Sequence, residues 1–341
     1  MTITSKQVLL TSYIALLSAC SGSSSDPSAG ATPAGGPQAP VASNNVVIDK
    51  TEDDARVFAS AAGDLGKAMN DKKTLTARKV GTVADLRKRD AKGVNQFTKQ
   101  AVTVALQKGA NEGDLDVILD GKTYSFSKAD QVKENDGKIL AYERDKNDDY
   151  FSVWSQDGEI TDLFKTGHGY SKILEIYKNY NGGILYSAAV IGTETADAKL
   201  ATLPTAKYAG SAKLNMRPVS GYVDNKTHRS RLYGDLTLNA DFGKGTISGT
   251  INKMQYRAPG TEYKDRVDYA GQLKMNEAKF TENGFQSSLS ASSDFKDTVK
   301  DGIYSGAFYG PEAQQVAGTL RAIIVKDGVD QSALGFFKGV D

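Results

Sequence analysis

The chain has 341 residues, enough for two ordinary domains, and 39% of them are hydrophobic. Its 42 basic and 41 acidic residues nearly cancel, so nucleic acid, whose phosphates require a basic excess, is not expected as the main partner. With one cysteine and two histidines, it can form neither an intramolecular disulfide nor a Cys/His zinc cluster.

The N-terminal segment has the pattern of a signal peptide. Lys6 precedes an apolar stretch, residues 8–17, that is too short for a bilayer span of about 20 residues. The letters LLSAC, which end at Cys20, resemble the lipobox of bacterial lipoproteins. This resemblance implies a signal peptide at 1–19, cleavage before Cys20 and lipidation of that residue; the alternative is a secretory signal with an incidental cysteine. Cys20 is followed by Ser21 and not by aspartate, which in such lipoproteins favours delivery to the outer membrane over retention in the inner membrane.

The segment after Cys20 is poor in apolar side chains. Residues 21–44 consist almost entirely of Ser, Gly, Ala and Pro. Such a composition cannot bury a core, so we expect residues 20–48 to be a lipidated, disordered tether. A tether of this kind would hold a folded part away from a membrane.

Residues 49–200 carry the signals of a small, mostly antiparallel domain with some helix, which we expect to form a handle-like domain. The acidic start of residues 50–68 predicts a short helix, and residues 93–107 fit either a helix or a strand. Two-residue turn signals between alternating apolar residues predict hairpins. The predicted hairpins are 115–127 around Asp120-Gly121, 150–164 around Asp157-Gly158, and 170–192 around Asn181-Gly182-Gly183.

Residues 201–341 have a regular period-2 pattern, which predicts half-buried antiparallel strands. The eight predicted strands are 208–216, 231–242, 245–254, 268–280, 285–292, 303–309, 315–325 and 332–338. Seven of them place a glycine on the apolar face, where it would relieve crowding in a strongly coiled sheet. These glycines are Gly210, Gly234, Gly249, Gly271, Gly306, Gly318 and Gly335. The pattern therefore predicts a closed eight-stranded antiparallel β-barrel, and the fold class is mainly β.

The connections between these strands differ in length. Those after the second, fourth and sixth strands are short, whereas residues 217–230 and 255–267 form long connections after the first and third. Because alternate connections of an up-and-down barrel lie at the same end, one end should carry long loops that bind a partner. Tyrosine and arginine are frequent in binding hot spots, although solvated hairpins are the alternative. The candidate partner-binding residues are Tyr222, His228, Arg229, Tyr256, Arg257 and Tyr263.

Two barrel segments, 240–251 and 306–320, resemble signatures of the transferrin-binding protein B family. Segment 192–210 resembles the family's junction between handle and barrel, and the likeness in motifs covers 201–341. The family includes transferrin receptors, haemoglobin–haptoglobin receptor lipoproteins, factor H-binding proteins and secreted haem carriers. Transferrin-binding protein B has two handle–barrel lobes, and this chain has the length for one. Its layout is therefore most similar to that of the haemoglobin-receptor lipoproteins.

The resemblance implies a non-enzymatic lipoprotein, anchored in the bacterial outer membrane and exposed at the cell surface. It would capture a host iron- or haem-carrier protein, or haem itself, for an outer-membrane transporter. The alternative is an adhesion or immune-evasion lipoprotein that binds a host protein such as a complement regulator. No Ser/His/Asp order or general acid pair indicates an enzyme, and no cofactor or metal is expected.

Haem is the one small ligand for which the sequence offers a candidate. Ferric haem takes a histidine or tyrosine ligand in an apolar slot. His168 lies between Gly167 and Gly169, which would let a planar ligand approach the backbone. The alternative is that this segment is a polar loop.

Overall fold

In the computed structural model, the described residues are 56–78, 82–92, 94–134, 136–146, 149–221, 229–280 and 282–341. They all belong to one compact unit, Ser43–Asp341. The predicted signal peptide at 1–19, Cys20 and most of the predicted tether therefore lie outside the described residues. In the described ranges, no helix combines the length and the apolar character that crossing a bilayer requires.

The described part of the chain is mostly β-strand, with little helix. The helices are α1 (Ala59–Ala62), α2 (Leu65–Asn70) and α3 (Asp197–Leu200), and 3₁₀ turns cover Lys128–Asp130, Ile160–Phe164 and Tyr263–Asp265. The strands before α3 are β1 (Leu75–Thr76), β2 (Thr82–Arg89), β3 (Asn95–Gln100), β4 (Val104–Lys108), β5 (Leu115–Leu119), β6 (Lys122–Phe126), β7 (Gln131–Lys133), β8 (Ile139–Lys146), β9 (Asp149–Ser155), β10 (Ser171–Tyr180) and β11 (Gly183–Gly192). The strands after α3 are β12 (Ala206–Pro218), β13 (Ser220–Gly221), β14 (Ser230–Asp241), β15 (Thr246–Arg257), β16 (Val267–Asp268), β17 (Leu273–Lys279), β18 (Phe285–Ala291), β19 (Thr298–Tyr309), β20 (Gln315–Lys326) and β21 (Val329–Val340).

The first half of the described chain, here called the handle, contains two antiparallel sheets. The smaller has the strand order β1-β4-β5-β6. The larger, here called the handle sheet, has the order β13-β3-β2-β11-β10-β9-β8-β7, with its edge strand β13 contributed by the second half of the chain. One face of the handle sheet packs against the smaller sheet and α2 around an apolar core. Alternate residues of β10 and β11 enter that core, which leaves the other face of the handle sheet for the barrel.

Two of the three predicted hairpins in the handle are confirmed. Strands β5 and β6 meet at Asp120-Gly121, with φ of +48° and +76°, and β10 and β11 meet at Asn181-Gly182, with φ of +47° and +71°. The tight two-residue hairpin turn requires positive φ at both central residues, which is why Asp-Gly and Asn-Gly favour it.

The third predicted hairpin, at 150–164, is wrong. Its first half is β9, but the strand pairs with β8 and β10, and its second half is the 3₁₀ turn Ile160–Phe164. The carboxylate of Asp157 accepts a hydrogen bond from the Ile173 amide at 3.1 Å, so it binds β10 instead of closing a hairpin. The spacing of Ile160 and Leu163 is also helical, and both are buried in the handle core.

Two predictions concern the start of the handle, a helix at 50–68 and a helix or a strand at 93–107. The predicted helix at 50–68, described from residue 56, is two short helices, because Gly63 separates them with a φ of +75°. Asp64 caps α2 by accepting a hydrogen bond from the Lys67 amide. Residues 93–107 form two strands, β3 and β4, rather than a helix.

The second half of the chain is the predicted closed eight-stranded antiparallel barrel. The order β12-β21-β20-β19-β18-β17-β15-β14 closes on itself because β14 pairs with both β12 and β15. Its interior is filled by apolar side chains, with Phe308 in contact with a group of other aromatic rings. The barrel is therefore a packed core and not a channel.

Several glycines of the predicted pattern have a more specific cause than the sequence indicated. At Gly210, Gly249, Gly318 and Gly335, an added Cβ would first overlap a carbonyl oxygen of the neighbouring strand, and not a core side chain. These glycines therefore permit close approach of two strands. Gly271 is an exception, since it precedes β17 and has a φ of +85°.

The two ends of the barrel differ as the strand spacing predicted. The short-turn end carries connections 242–245, 280–284 and 310–314, and the opposite end, here called the loop end, carries the long segments 219–229 and 258–272. The first long segment does not begin as a free loop. Its β13 pairs with β3, because β3 would otherwise leave the backbone groups of a sheet edge without partners.

Candidate functional site

The handle sheet lies against the barrel through residues that alternate along β10 and β11. Near the short-turn end, Ile173 and Val190 pack on barrel side chains, in an apolar contact completed by Ala307, Tyr309, Ala317 and Phe336. Two positions further along β10, the apolar contact gives way to polar groups. Along β10, the interface therefore changes from apolar at Ile173 to charged at Glu175.

Glu175 is the centre of the charged part. Its side chain is 3% exposed and faces the barrel from β10. Its carboxylate accepts hydrogen bonds from Lys213 at 3.2 Å, from Asn215 at 2.6 Å and from Arg229 at 3.0 Å. The hydroxyl of Tyr186 donates to it at 3.2 Å. One handle carboxylate thus binds three barrel side chains.

These contacts alter the pKa of the buried groups. Burial alone would raise the pKa of Glu175, but Lys213, Arg229 and Asn215 together hold it well below its usual range. Burial lowers the pKa of Lys213 to about 8 although Glu175 opposes this. Burial, followed by the charge of Glu175, raises the pKa of Tyr177 to about 12. Glu175 is therefore ionised at neutral pH, and its role is to accept hydrogen bonds.

Next to Glu175, toward the loop end, the interface opens into a cavity of about 420 Å³. We call it the arginine cavity, and its charged lining residues are Arg87, Asp145, Arg217 and Arg229. Its aromatic lining residues are Phe97, Tyr150, Tyr177 and Tyr186. The guanidinium carbon of Arg217 lies 4.2 Å from the centre of the Tyr186 ring, and that of Arg229 lies 5.4 Å from the centre of the Tyr177 ring. These distances are typical of cation–π contacts.

A second feature lies at the loop end of the barrel itself. The Tyr263 side chain is 57% exposed, and the Arg266 guanidinium lies 3.6 Å from the centre of its ring. Tyr233 meets the same ring edge-on at 5.6 Å, and Val267 beside it is 58% exposed. We call these four residues the loop-end aromatic surface. Exposed aromatic and arginine side chains of this kind are suited to contact with another protein.

The structure separates the residues that the sequence grouped at the loop end. Tyr263 is exposed there, but Arg229 turns toward the handle and binds Glu175. The loop predicted at 255–267 begins later than expected, since Tyr256 and Arg257 are the last residues of β15. The Tyr256 ring packs on the barrel core, 6.0 Å from the Tyr269 ring. Two more candidates, Tyr222 and His228, lie outside the described residues.

His168, the candidate haem ligand, lies on a loop of the handle near the short-turn end. Its side chain is 49% exposed, and its Nδ1 lies 3.6 Å from a carboxylate oxygen of Asp162. Asp162 also pairs with Lys165, so charged groups surround the imidazole. Among the described residues, no group of three or more His, Cys, Asp or Glu side chains could hold a metal ion.

No sequence motif marks Glu175, Lys213 or Asn215 as functional residues. The available signal was a charged residue inside an apolar strand, as Glu175 is in the letters KILEIY. Period-2 alternation placed it on the face opposite Leu174 and Ile176, but did not indicate that this face is covered.

Comparison with known proteins supports one family. Residues 200–340 match the model of the C-lobe and N-lobe β-barrels of Tf-binding protein B. A search of curated protein sequences gives no match to the chain.

Solved structures of transferrin-binding protein B resemble the chain at low identity. Intact Ap-TbpB, with N and C lobes, has 19% identity, covers 75% of this chain and 46% of its own, and gives a TM-score of 0.37. A transferrin-binding protein B variant from Haemophilus parasuis Hp5 has 18% identity, covers 76% of this chain and 46% of its own, and gives a TM-score of 0.38. The isotype 1 protein from serogroup B Neisseria meningitidis has 17% identity, covers 76% of this chain and 43% of its own, and gives a TM-score of 0.37. This chain thus spans less than half the length of each of these three structures.

The sequence resemblance is confirmed for the part of the chain that carried it. The matched residues begin at Leu200, the last residue of α3, and end with β21, so they include all eight strands of the closed barrel. Residues 200–340, which form the barrel that follows the handle, are therefore similar to the β-barrels of transferrin-binding protein B.

Proposed function

We propose that the chain is a surface lipoprotein of the bacterial outer membrane that captures a host iron- or haem-carrier protein. The match of residues 200–340 to the barrels of a transferrin-binding protein is the observation that supports this most. In this proposal, the captured protein or its haem passes to an outer-membrane transporter. Haem would be a ligand, and no resident cofactor is needed.

The proposed anchor is the lipidated Cys20. It rests on the lipobox-like LLSAC sequence and on the Ser/Gly/Ala/Pro composition of the residues that follow. Several acyl chains would hold the protein firmly, since each buried CH₂ contributes about 0.8 kcal/mol. A Cys20→Ala variant should leave the membrane fraction, and its full retention there would contradict the anchor.

The proposed capture surface is the loop-end aromatic surface. Tyr263 and Val267 are among the large apolar side chains that the described barrel leaves exposed. The Arg266 guanidinium lies close to both the Tyr263 ring, at 3.6 Å, and the Tyr233 ring, at 5.3 Å, which holds these side chains in place before a partner arrives. A preorganised surface loses less side-chain entropy on binding, which favours affinity.

The proposal is tested by capture from serum. A soluble form that begins at Ser43 contains the whole compact unit and is used as bait. The captured proteins are identified by mass spectrometry, and transferrin, haemoglobin and free haem are then titrated separately. Saturable binding of one of the three supports iron or haem capture. A captured protein that carries neither iron nor haem would instead support adhesion or immune evasion, and no capture by the correctly folded protein would contradict both.

A further inference from the structure

The arginine cavity has the size of a small-molecule site. Its volume of about 420 Å³ falls within the range of roughly 300–1,000 Å³ that is common for ligand pockets. The handle sheet forms one wall, and Arg217 and Arg229 of the barrel region form the other. The walls combine aromatic rings with a few charged groups, which is the usual composition of a site that binds a small ligand.

The charge of this cavity is unbalanced. Its described lining contains three arginines, Arg87, Arg217 and Arg229, against one acidic residue, Asp145. Arg229 is neutralised by its ion pair with Glu175. Among the described residues, by contrast, no carboxylate forms an ion pair with Arg217. An adjoining cavity shares Arg87, and its described lining contains a further arginine and no acidic side chain.

The guanidinium groups are held in place. Arg217 lies against the Tyr186 ring, and the hydroxyl of Tyr186 donates to Glu175. Arg229 donates both to Glu175 and to Asn215, at 3.0 and 2.9 Å. A planar guanidinium fixed on an aromatic face retains donors in a geometry that matches an oxyanion.

The arginines also repel one another. Burial and then the positive charges of Arg217 and Arg89 lower the pKa of Arg87. An anion between these groups would relieve the repulsion, and the partly buried site would strengthen the attraction relative to water. Charge and geometry therefore favour the same kind of ligand.

We propose that the arginine cavity binds an oxyanion, such as a carboxylate or sulfate group, with Arg217 as its main contact. The oxyanion can come from a free small molecule or from an acidic side chain of a captured protein. The chemistry is the same in both cases, and the assignment does not depend on which host protein is captured.

The test titrates the soluble form that begins at Ser43 with sodium sulfate and, separately, with a hexaglutamate peptide, by calorimetry at low ionic strength. We expect saturable binding of at least one probe with one site per chain. The probe that binds more tightly identifies the source of the oxyanion. Arg217→Gln should weaken binding at least tenfold, and Arg217→Lys should give an intermediate loss because it keeps the charge without the planar fork.

The control is Lys274→Gln, which removes one positive charge from an exposed position on β17. It should leave the affinity unchanged, and thermal melting of each variant verifies that it folds. Saturable binding that is equal in the wild type and Arg217→Gln would overturn the proposal. Absence of binding of both probes to the folded wild type would overturn it as well.

Discussion

At the scale of single residues, Glu175 illustrates how a buried charge can connect two parts of a chain. Removing it from water is unfavourable unless its oxygens find donors. Lys213 and Arg229 supply them as charged partners, and Asn215 supplies a neutral one. Because these three donors come from the barrel side, the carboxylate fixes the position of β10 relative to β12.

We expect Glu175→Gln to destabilise the protein by about 3 kcal/mol, because it leaves the positive charges of Lys213 and Arg229 buried without their counter-charge. Urea unfolding measures the difference. The matched control is Asp235→Asn, which breaks an ion pair with Lys253 whose two side chains are 61% and 82% exposed. That change should cost less than about 1 kcal/mol. Equal effects of the two substitutions would show that Glu175 is not a structural anchor.

The same variant gives a pH dependence with a defined sign. Despite its burial, the pKa of Glu175 is held below its usual range by its cationic neighbours. A carboxyl group whose pKa is lower in the folded than in the unfolded state stabilises the folded protein fully at any pH above the unfolded-state pKa. This stabilisation is lost as the pH falls toward the folded-state pKa. The difference between wild type and Glu175→Gln should therefore be larger at about pH 7 than at about pH 3. A difference that grows on acidification would contradict this assignment.

At the scale of elements, the barrel strands show that the role of a glycine depends on its neighbouring strand. Gly318 in β20 lies opposite Gly306 in β19, and both face the interior. An added Cβ at Gly318 would overlap the carbonyl oxygen of Ser305 and lie 2.5 Å from a ring carbon of Phe337. Backbone atoms of a paired strand cannot move aside as a flexible side chain can, so even alanine is too large here.

We expect Gly318→Ala to destabilise the protein by about 1–3 kcal/mol, as is common for overpacked interiors. The control is Gly243→Ala in the turn 242–245, where the nearest atom to an added Cβ is 3.5 Å away. That substitution should leave the free energy of unfolding within about 0.5 kcal/mol of the wild type. Thermal and urea unfolding of both variants measure the contrast, and similar losses would refute the strand-approach argument.

The barrel and the site differ in how far the sequence could predict them. The strands followed from period-2 alternation and the two confirmed hairpins from their turn residues, because both are local properties. The contact between Ser332 and Asp85 joins residues 247 positions apart. No local pattern indicates which distant strand covers a polar residue, so Glu175 and the arginine cavity became visible only in the fold.

The loop-end aromatic surface should contribute directly to binding of the captured host protein. Tyr263→Ala should weaken binding of the captured host protein by about 2 kcal/mol, as expected for one hot spot. Thermal stability should change little, because the side chain is 57% exposed. Lys244→Ala at the short-turn end, where the Lys244 side chain is 78% exposed, is the control and should alter neither property. If Tyr263→Ala binds the host protein with unchanged affinity, the capture surface does not lie at this end of the barrel.

At the scale of the whole molecule, the handle and the barrel interact through opposite charges. The handle contributes carboxylates, and the barrel contributes the cations that pair with them. Asp85 pairs with Arg321 at 2.9 Å, and Asp157 pairs with Lys338 at 2.6 Å. Together with the Glu175 contacts and the apolar contact around Ile173, these pairs make the two parts one compact unit. Such an interface should couple the unfolding of both parts.

This coupling can be measured because the chain has one tryptophan, Trp154, in strand β9 of the handle. Its fluorescence reports on the handle, whereas far-ultraviolet circular dichroism also reports on the barrel strands. In the wild type, the two signals should give coincident urea transitions, since coincidence of different probes is the signature of two-state unfolding. Replacing Arg321 and Lys338 together by glutamine removes the barrel cations that pair with Asp85 and Asp157, which should separate the transitions, with the handle unfolding first. The matched control, Lys244→Gln combined with Lys274→Gln, removes two exposed charges of the barrel and should keep the transitions coincident. Separate transitions in the wild type would show that the handle and barrel unfold independently despite their charged interface.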